Sequence, residues 1–302
     1  MNTTKSSPYL VAISGISVIA IFVQIMLGAV TRLTGSGLAC PDWPLCYGLW
    51  LPFPSALSAL PPIDFTYTQV LLEWAHRANA AFLLAPLVCC MAFLGWKYRG
   101  QGPIYWRLGL AAFCLLLVQS AVGGFTVFDK NSPWSVAIHL TLASLLLATA
   151  VSMLRLAKTG HSIRMGIRTV IPIVLALLVL STMVSGAIVA KTGAALACDG
   201  WPLCSGSVLP DMDDVGQAVH LFHRFLAFVT VLGLLWAGWY LRYLRHAAVL
   251  SIFQVLMGLV VIVTYEGGVL EFQVTVGALH QLFAAIIFAA LVWTFWQPDR
   301  VK

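Results

Sequence analysis

His76, His139, His223 and His280 fall inside long apolar segments of a 302-residue chain that is 60% hydrophobic and only 9% charged. An ionisable side chain in such a segment is costly and marks function by default. The four form two pairs: "EWAHR" at 73–77 aligns with "HLFHR" at 220–224, and His139 aligns with His280. Counted from one end of each segment at helical rise, all four sit roughly 8–12 Å deep. One imidazole from each of two helices, at a common depth, is the arrangement that clamps a haem iron from both faces inside a bundle. A proton or ion relay and a copper or other metal site are the competing uses. His161 and His246 fall in connecting loops and are assigned no role.

The two pairs are not surrounded alike. Glu73 lies three residues before His76 on the same helical face, within reach of the edge of a bound haem. The aligned residue in the second pair is His220, a candidate hydrogen-bonding neighbour rather than a ligand. A buried carboxylate beside a reacting carbon suits general-base work or the stabilisation of a developing positive charge. The plainer use of Glu73 is as a charge partner for Arg77 or Arg32. Arg77 and Arg224 each follow a histidine directly, placed either to pair with a haem propionate or to snorkel toward head groups. Gln119 and Gln254 add polar groups to two further spans. Gly123, Gly124 and Gly258 either admit a flat macrocycle or let helices approach closely.

The elements that must hold these residues are membrane spans. A soluble domain carries about 25% charged residues, and apolar runs of about 20 residues suffice to cross the hydrocarbon. Eight such runs are predicted, at roughly 10–31, 68–95, 107–128, 134–156, 169–190, 216–240, 247–265 and 274–296. The first run is too long for the core of a cleaved signal, so it is expected to stay as a helix. With eight spans, both termini share a side with the segments near 96–107, 155–168 and 241–246. That side collects Lys5, Lys97, Arg99, Arg107, Arg155, Lys158, Arg164, Arg168, Arg242, Arg245, Arg300 and Lys302, but among the acids only Asp299. The bias makes this side cytoplasmic. The net charge of +6 is thus a topology signal, and the partner surface it implies is membrane lipid, not nucleic acid.

The chain also repeats itself. Residues 28–48, "GAVTRLTGSGLACPDWPLCYG", align without a gap to 186–206, "GAIVAKTGAALACDGWPLCSG", with identical residues at most positions. Gln119 and Gly123 match Gln254 and Gly258 further along. The expected architecture is all-α: two tandem four-helix bundles, 1–160 and 161–302, related by a pseudo-two-fold axis along the membrane normal. Both cysteine loops then lie on the exterior face. There Cys40 with Cys46, and Cys198 with Cys204, can close local disulfides. A redox-active pair or a metal site are the other uses of those cysteines. Cys89, Cys90 and Cys114 lie within spans and read as small apolar packing residues.

Taken together, the tandem halves, "EWAHR", "HLFHR", the histidines of the fourth and eighth spans, and the loops "CPDWPLC" and "CDGWPLC" resemble the haem A synthase family along essentially the whole chain. The resemblance implies a cytoplasmic (inner) membrane oxidoreductase. It would convert haem O to haem A by oxidising a ring methyl to a formyl group through successive hydroxylations. His76 and His139 would hold the substrate haem O, with Glu73 beside the methyl as the catalytic group. His223 and His280 would ligate haem B as cofactor, passing electrons to an acceptor that the sequence does not identify. Cys40 and Cys46 would sit above the substrate, and Cys198 and Cys204 would be structural. The enzyme producing haem O is the implied neighbour, and a homo-oligomer is left open. A dihaem b-type electron-transfer cytochrome would keep the four histidines but has no use for Glu73 in one half only. An exterior thiol oxidant would leave the histidines unexplained, and a transporter rests on the repeat alone.

Overall fold

The computed structural model describes residues 7–160, 167–198, 200–201, 203–208, 213–266 and 270–296. Lys5, His161, Arg164, Asp299, Arg300 and Lys302 lie outside the described residues, and of Arg168 only the backbone is described.

Eight helices are long and apolar enough to cross a membrane. They are α1 (Pro8–Leu33), α2 (Tyr67–Lys97), α3 (Pro103–Phe128), α4 (Pro133–Thr159), α5 (Ile167–Lys191), α6 (Val215–Tyr240), α7 (Arg245–Glu266) and α8 (Leu270–Phe295). Every expected span is present, with ends shifted by about a turn or less. Local chemistry sets those ends. Proline opens α1, α3 and α4, where its missing N–H costs nothing. Thr66 and Gln69 form a capping box at α2, and the Asp214 carboxylate accepts the N–H groups of Gly216 and Gln217 at α6. Gly160 ends α4 at a positive φ of 71°.

The helices pack as two rings. α1 meets α2 and α4, and α3 closes the ring between α2 and α4; α5 meets α6 and α8, and α7 closes the second ring between α6 and α8. The seam between rings is built from α1, α4, α5 and α8. Close approach is bought with small residues: Gly109 lies against the Ala92 backbone, and Gly95 against the Tyr105 carbonyl. Trp296 just beyond α8 donates its indole N–H to Ser152 Oγ of α4 at 2.7 Å, tying the seam at the loop-poor end.

One expectation fails. Cys89, Cys90 and Cys114 are exposed on the outside of the bundle rather than packed within it. In a membrane bundle the outward face meets hydrocarbon, so a small thiol is accommodated there as readily as in the core.

Outside the helices, the first cysteine loop is longer than the second. Residues 49–65 add a one-turn helix, Pro54–Leu57, whose Leu57 packs with Cys40, Cys46 and Val70 into a small core of its own.

Candidate functional site

The first site is built by α1–α4. α2 presents Glu73, His76 and Arg77, and α4 presents His139. The rings of His76 and His139 stand edge-on to one another with centroids 6.5 Å apart. Metal–imidazole bonds are about 2 Å long, so two rings ligating one ion stand with centres about 6 Å apart. The gap is therefore one metal ion wide.

Each of the four histidines lies against a glycine of a neighbouring helix. A Cβ added at Gly28 would come within 3.1 Å of the His76 ring, and one at Gly123 within 2.9 Å of His139. In the second site, a Cβ at Gly186 would come within 2.9 Å of His223, and one at Gly258 within 3.2 Å of His280. These glycines make space for imidazoles, a use that neither reading of Gly123 and Gly258 had named. Gly124 serves a different neighbour: the Trp43 indole of the first loop lies 3.0 Å from where its Cβ would be.

Polar side chains then fix the rings. Gln24 Nε2 sits 3.1 Å from His76 Nδ1 and donates to the His76 carbonyl, while Asn79 donates to Gln24 Oε1 at 2.6 Å. Gln119 Nε2 lies 3.3 Å from His139 Nε2. The buried His139 Nδ1 has no hydrogen-bond partner among the described residues. In the second site, Ser185 Oγ lies 2.9 Å from His223 Nδ1, and Gln254 holds both the ring and the carbonyl of His280. Of these, only Gln119 and Gln254 were visible as candidates in the sequence. Gly28 and Gly186 open the 21-residue repeat as an identical pair, and that identity was the available signal.

The second site encloses a cavity of about 220 Å³ lined by His223, His280, His220, Arg224, Gln254 and Arg32. Among the described residues no three His, Cys, Asp or Glu side chains converge on a point. A bare ion would have too few donors here. A haem brings four equatorial nitrogens of its own and needs only one imidazole on each face. The ring separation in the first site, the glycine-made clearances in both and the cavity in the second fit that group.

Both cysteine pairs are disulfides, Cys40–Cys46 and Cys198–Cys204, with Cα atoms 4.7 and 4.5 Å apart. Each loop is closed by a short bridge, Cys46 to Leu49 and Cys204 to Ser207. Arg77 and Arg224 hold these loops from below. Arg77 donates to the carbonyls of Cys40, Asp42 and Leu45, and Arg224 to those of Cys198, Gly200 and Leu203. These six acceptors are aligned residues of the repeat. The sequence had suggested propionates or head groups as partners; the guanidinium groups reach loop carbonyls.

The halves part at residue 73. Glu73 is 4% exposed; its Oε2 accepts the Cys40 N–H at 2.7 Å, and its Oε1 accepts from Arg77 at 2.5 Å. Arg77, not Arg32, is its cation. At the aligned position, the His220 ring is buried and its Nε2 accepts from Arg224 Nε at 3.2 Å. The first site also carries a π-helical turn at Asn79–Leu84, beginning two residues after Arg77, whereas α6 stays α-helical throughout. Such turns often mark functional positions. Above it, the Tyr47 phenol is pushed above its ordinary pKa, first by burial and then by the carboxylates of Glu73, Asp64 and Asp42.

A family model described as "Cytochrome oxidase assembly protein", COX15-CtaA, matches residues 12–292. The chain belongs to the COX15-CtaA family. Similar members of known name include "Heme A synthase" of Shouchella clausii, 28% identical over 309 aligned positions that cover 96% of each chain. "Heme A synthase" of Alkalihalophilus pseudofirmus is also 28% identical, over 92% of this chain and 93% of its own. This COX15-CtaA chain further matches a "Protoheme IX farnesyltransferase" of Halobacterium salinarum at 31% identity, across 46% of this chain but only 28% of that one.

Proposed function

We propose that this multi-pass membrane protein is a haem A synthase, an oxidoreductase that converts a ring methyl of haem O to the formyl group of haem A. The reading rests on the family and its named relatives, and one observation carries it to a site. Of two histidine pairs with matching glycine and arginine surroundings, only the first has a buried carboxylate among the described residues, Glu73.

In this reading His76 and His139 hold the substrate haem between α2 and α4, with Gln24 and Gln119 steering the rings. Glu73 is held and oriented by Arg77 and the Cys40 N–H. An ionised carboxylate offers about four acceptor sites, so two donors leave room for a proton released from the substrate or for a reacting hydroxyl. The first disulfide loop, pinned by Arg77 and capped by Trp43 over Gly124, shields that carboxylate from water. His223 and His280 hold haem B, which supplies one-electron carriage away from the first site to an acceptor. Arg224 and the second loop close this site, and no carboxylate lines it among the described residues.

The positive-inside bias supports an orientation in a cytoplasmic membrane with termini inside and disulfide loops outside. The repeat supports a pseudo-two-fold axis along the membrane normal relating the halves 1–160 and 161–302. The partial match to a protohaem farnesyltransferase supports an enzyme supplying haem O as the neighbour.

The test is chromatography of haems extracted from protein purified from cells that supply haem O. Haem B together with haem A or a hydroxylated haem O, and loss of the oxidised haems in Glu73→Gln, is the expected result. Haem B alone at both sites, unchanged in Glu73→Gln, leaves an electron-transfer cytochrome instead.

A further inference from the structure

Three side chains narrow the second-half cavity where the first half carries smaller ones. Phe228 of α6 and Val255 and Leu259 of α7 all line that cavity. The register that pairs Gln119 with Gln254 sets Ser120 against Val255 and Gly124 against Leu259. The register that pairs His76 with His223 sets Ala81 against Phe228. Ala81 falls in the π-helical turn, and the ring of the next residue, Phe82, is turned outward at 68% exposure. On α1 the change runs the other way, with Gln24 against Thr182. Room is thus moved to one edge of the first site, between α2 and α3, rather than gained all round.

That edge is also where the two helices part. The stretch of α2 nearest the disulfide loop, Tyr67–Ala78, packs on α1, whereas the far stretch, Ala85–Lys97, packs on both α1 and α3. One face of α3 follows the parting at helical spacing. Tyr105, Gly109, Ala112 and Leu116 are buried along it, and Ser120, next on the same face, is exposed. Ala81 is exposed as well. Behind this edge, two buried polar atoms, Gln119 Oε1 and His139 Nδ1, have no hydrogen-bond partner among the described residues. Such orphans point to a ligand inside.

The chemistry of the two haems gives the edge its meaning. Haem O differs from haem B by a long apolar farnesyl-derived chain at the rim of the ring, which must lie against apolar surroundings and needs a way out of the bundle. Building on the reading of the first site as the haem O site, we infer that the parting between α2 and α3 takes this chain. Ala81, Ser120 and Gly124 then set the preference of the first site for haem O, and Phe228, Val255 and Leu259 close the same direction in the second. The aligned loop tryptophans follow suit. Trp43 lies over Gly124 and roofs the parting, whereas Trp201 packs on Phe228 with ring centroids 5.9 Å apart.

The experiment uses the full-length protein in a His223→Ala background, which leaves only the first-half site, titrated anaerobically with haem O or haem B and followed by visible spectra. The parent is expected to bind haem O about tenfold or more tightly than haem B. Ala81→Phe with Ser120→Val, which installs the second-half residues at two exposed positions, is expected to erase that preference while haem B binds as before. Conversely, Phe228→Ala with Leu259→Gly in a His139→Ala background is expected to admit haem O to the second site, read by chromatography of the extracted haems. A filled variant that keeps the haem O preference or loses both haems equally, or an opened second site that still refuses haem O, overturns the inference while leaving the histidine sites standing. If adding His139→Ala to the His223→Ala background leaves haem O binding unchanged, the first-half haem site itself falls, and the inference with it.

Discussion

The two halves use the same parts to hold an imidazole pair: a glycine behind each ring, an arginine one residue after the α2 or α6 histidine, and a disulfide loop pinned by that arginine. They differ in what surrounds the parts. The first half balances its arginine with Glu73, loosens its helix into a π turn and ties His76 through Gln24 to Asn79. The second keeps a continuous helix, replaces the acid with His220 and borrows Arg32 across the seam. A neutral, proton-accepting environment suits a ligand that is transformed and leaves. The proposed division of use rests on these few differences between otherwise repeated parts.

The comparison breaks most sharply at residue 73. Glu73→Gln is expected to reduce haem oxidation by about 10²-fold or more with haem content unchanged, whereas His220→Gln leaves the first-half chemistry running; product chromatography reads both. Equal losses would erase the distinction between the halves. Next come the glycines. Gly123→Ala and Gly186→Ala, with clearances of 2.9 Å, should each strip haem from their own half in visible spectra. Gly28→Ala and Gly258→Ala, with 3.1 and 3.2 Å, should retain more.

Stability should separate the arginines. Arg77→Leu strands a buried carboxylate and is expected to cost about 3–5 kcal/mol. Arg224→Leu strands carbonyls and a neutral ring, at about 1–3 kcal/mol; thermal unfolding of the purified proteins gives the order. Serine replacement of both cysteines in either loop is expected to cost about 2 kcal/mol by loop entropy. Only the Cys40/Cys46 pair should also lower turnover, because the Cys40 N–H donates to Glu73. The smallest effect concerns Tyr47. Removing the Glu73 charge makes its phenolate easier to form, so Glu73→Gln shifts the titration toward the ordinary tyrosine value, stopping short because burial, the larger cause, remains. Tyrosinate absorbance against a Tyr47→Phe control measures it.

Much of this was legible in the residues. Long apolar runs announce spans because the bilayer demands them, and an in-span histidine is conspicuous because its burial is costly. The Glu73/His220 exchange stands out once the halves are aligned. What stayed hidden depends on helices meeting across space. Periodicity does not tell which helix Gln24 faces, nor that Arg77 and Arg224 turn upward to loop carbonyls. Arg32 reads as one more residue near a helix end until α1 is seen against α8. The outward-facing Cys89, Cys90 and Cys114 show the same limit: an all-apolar helix has no polar face to mark its outside.

The most direct test of two sites with two uses is to disable one at a time and identify the haem that is lost. His139→Ala should lose haem O and its oxidised derivatives while retaining haem B, and His223→Ala should lose haem B. If both variants lose the same pigment in the same proportion, the halves are equivalent and the division of labour is wrong.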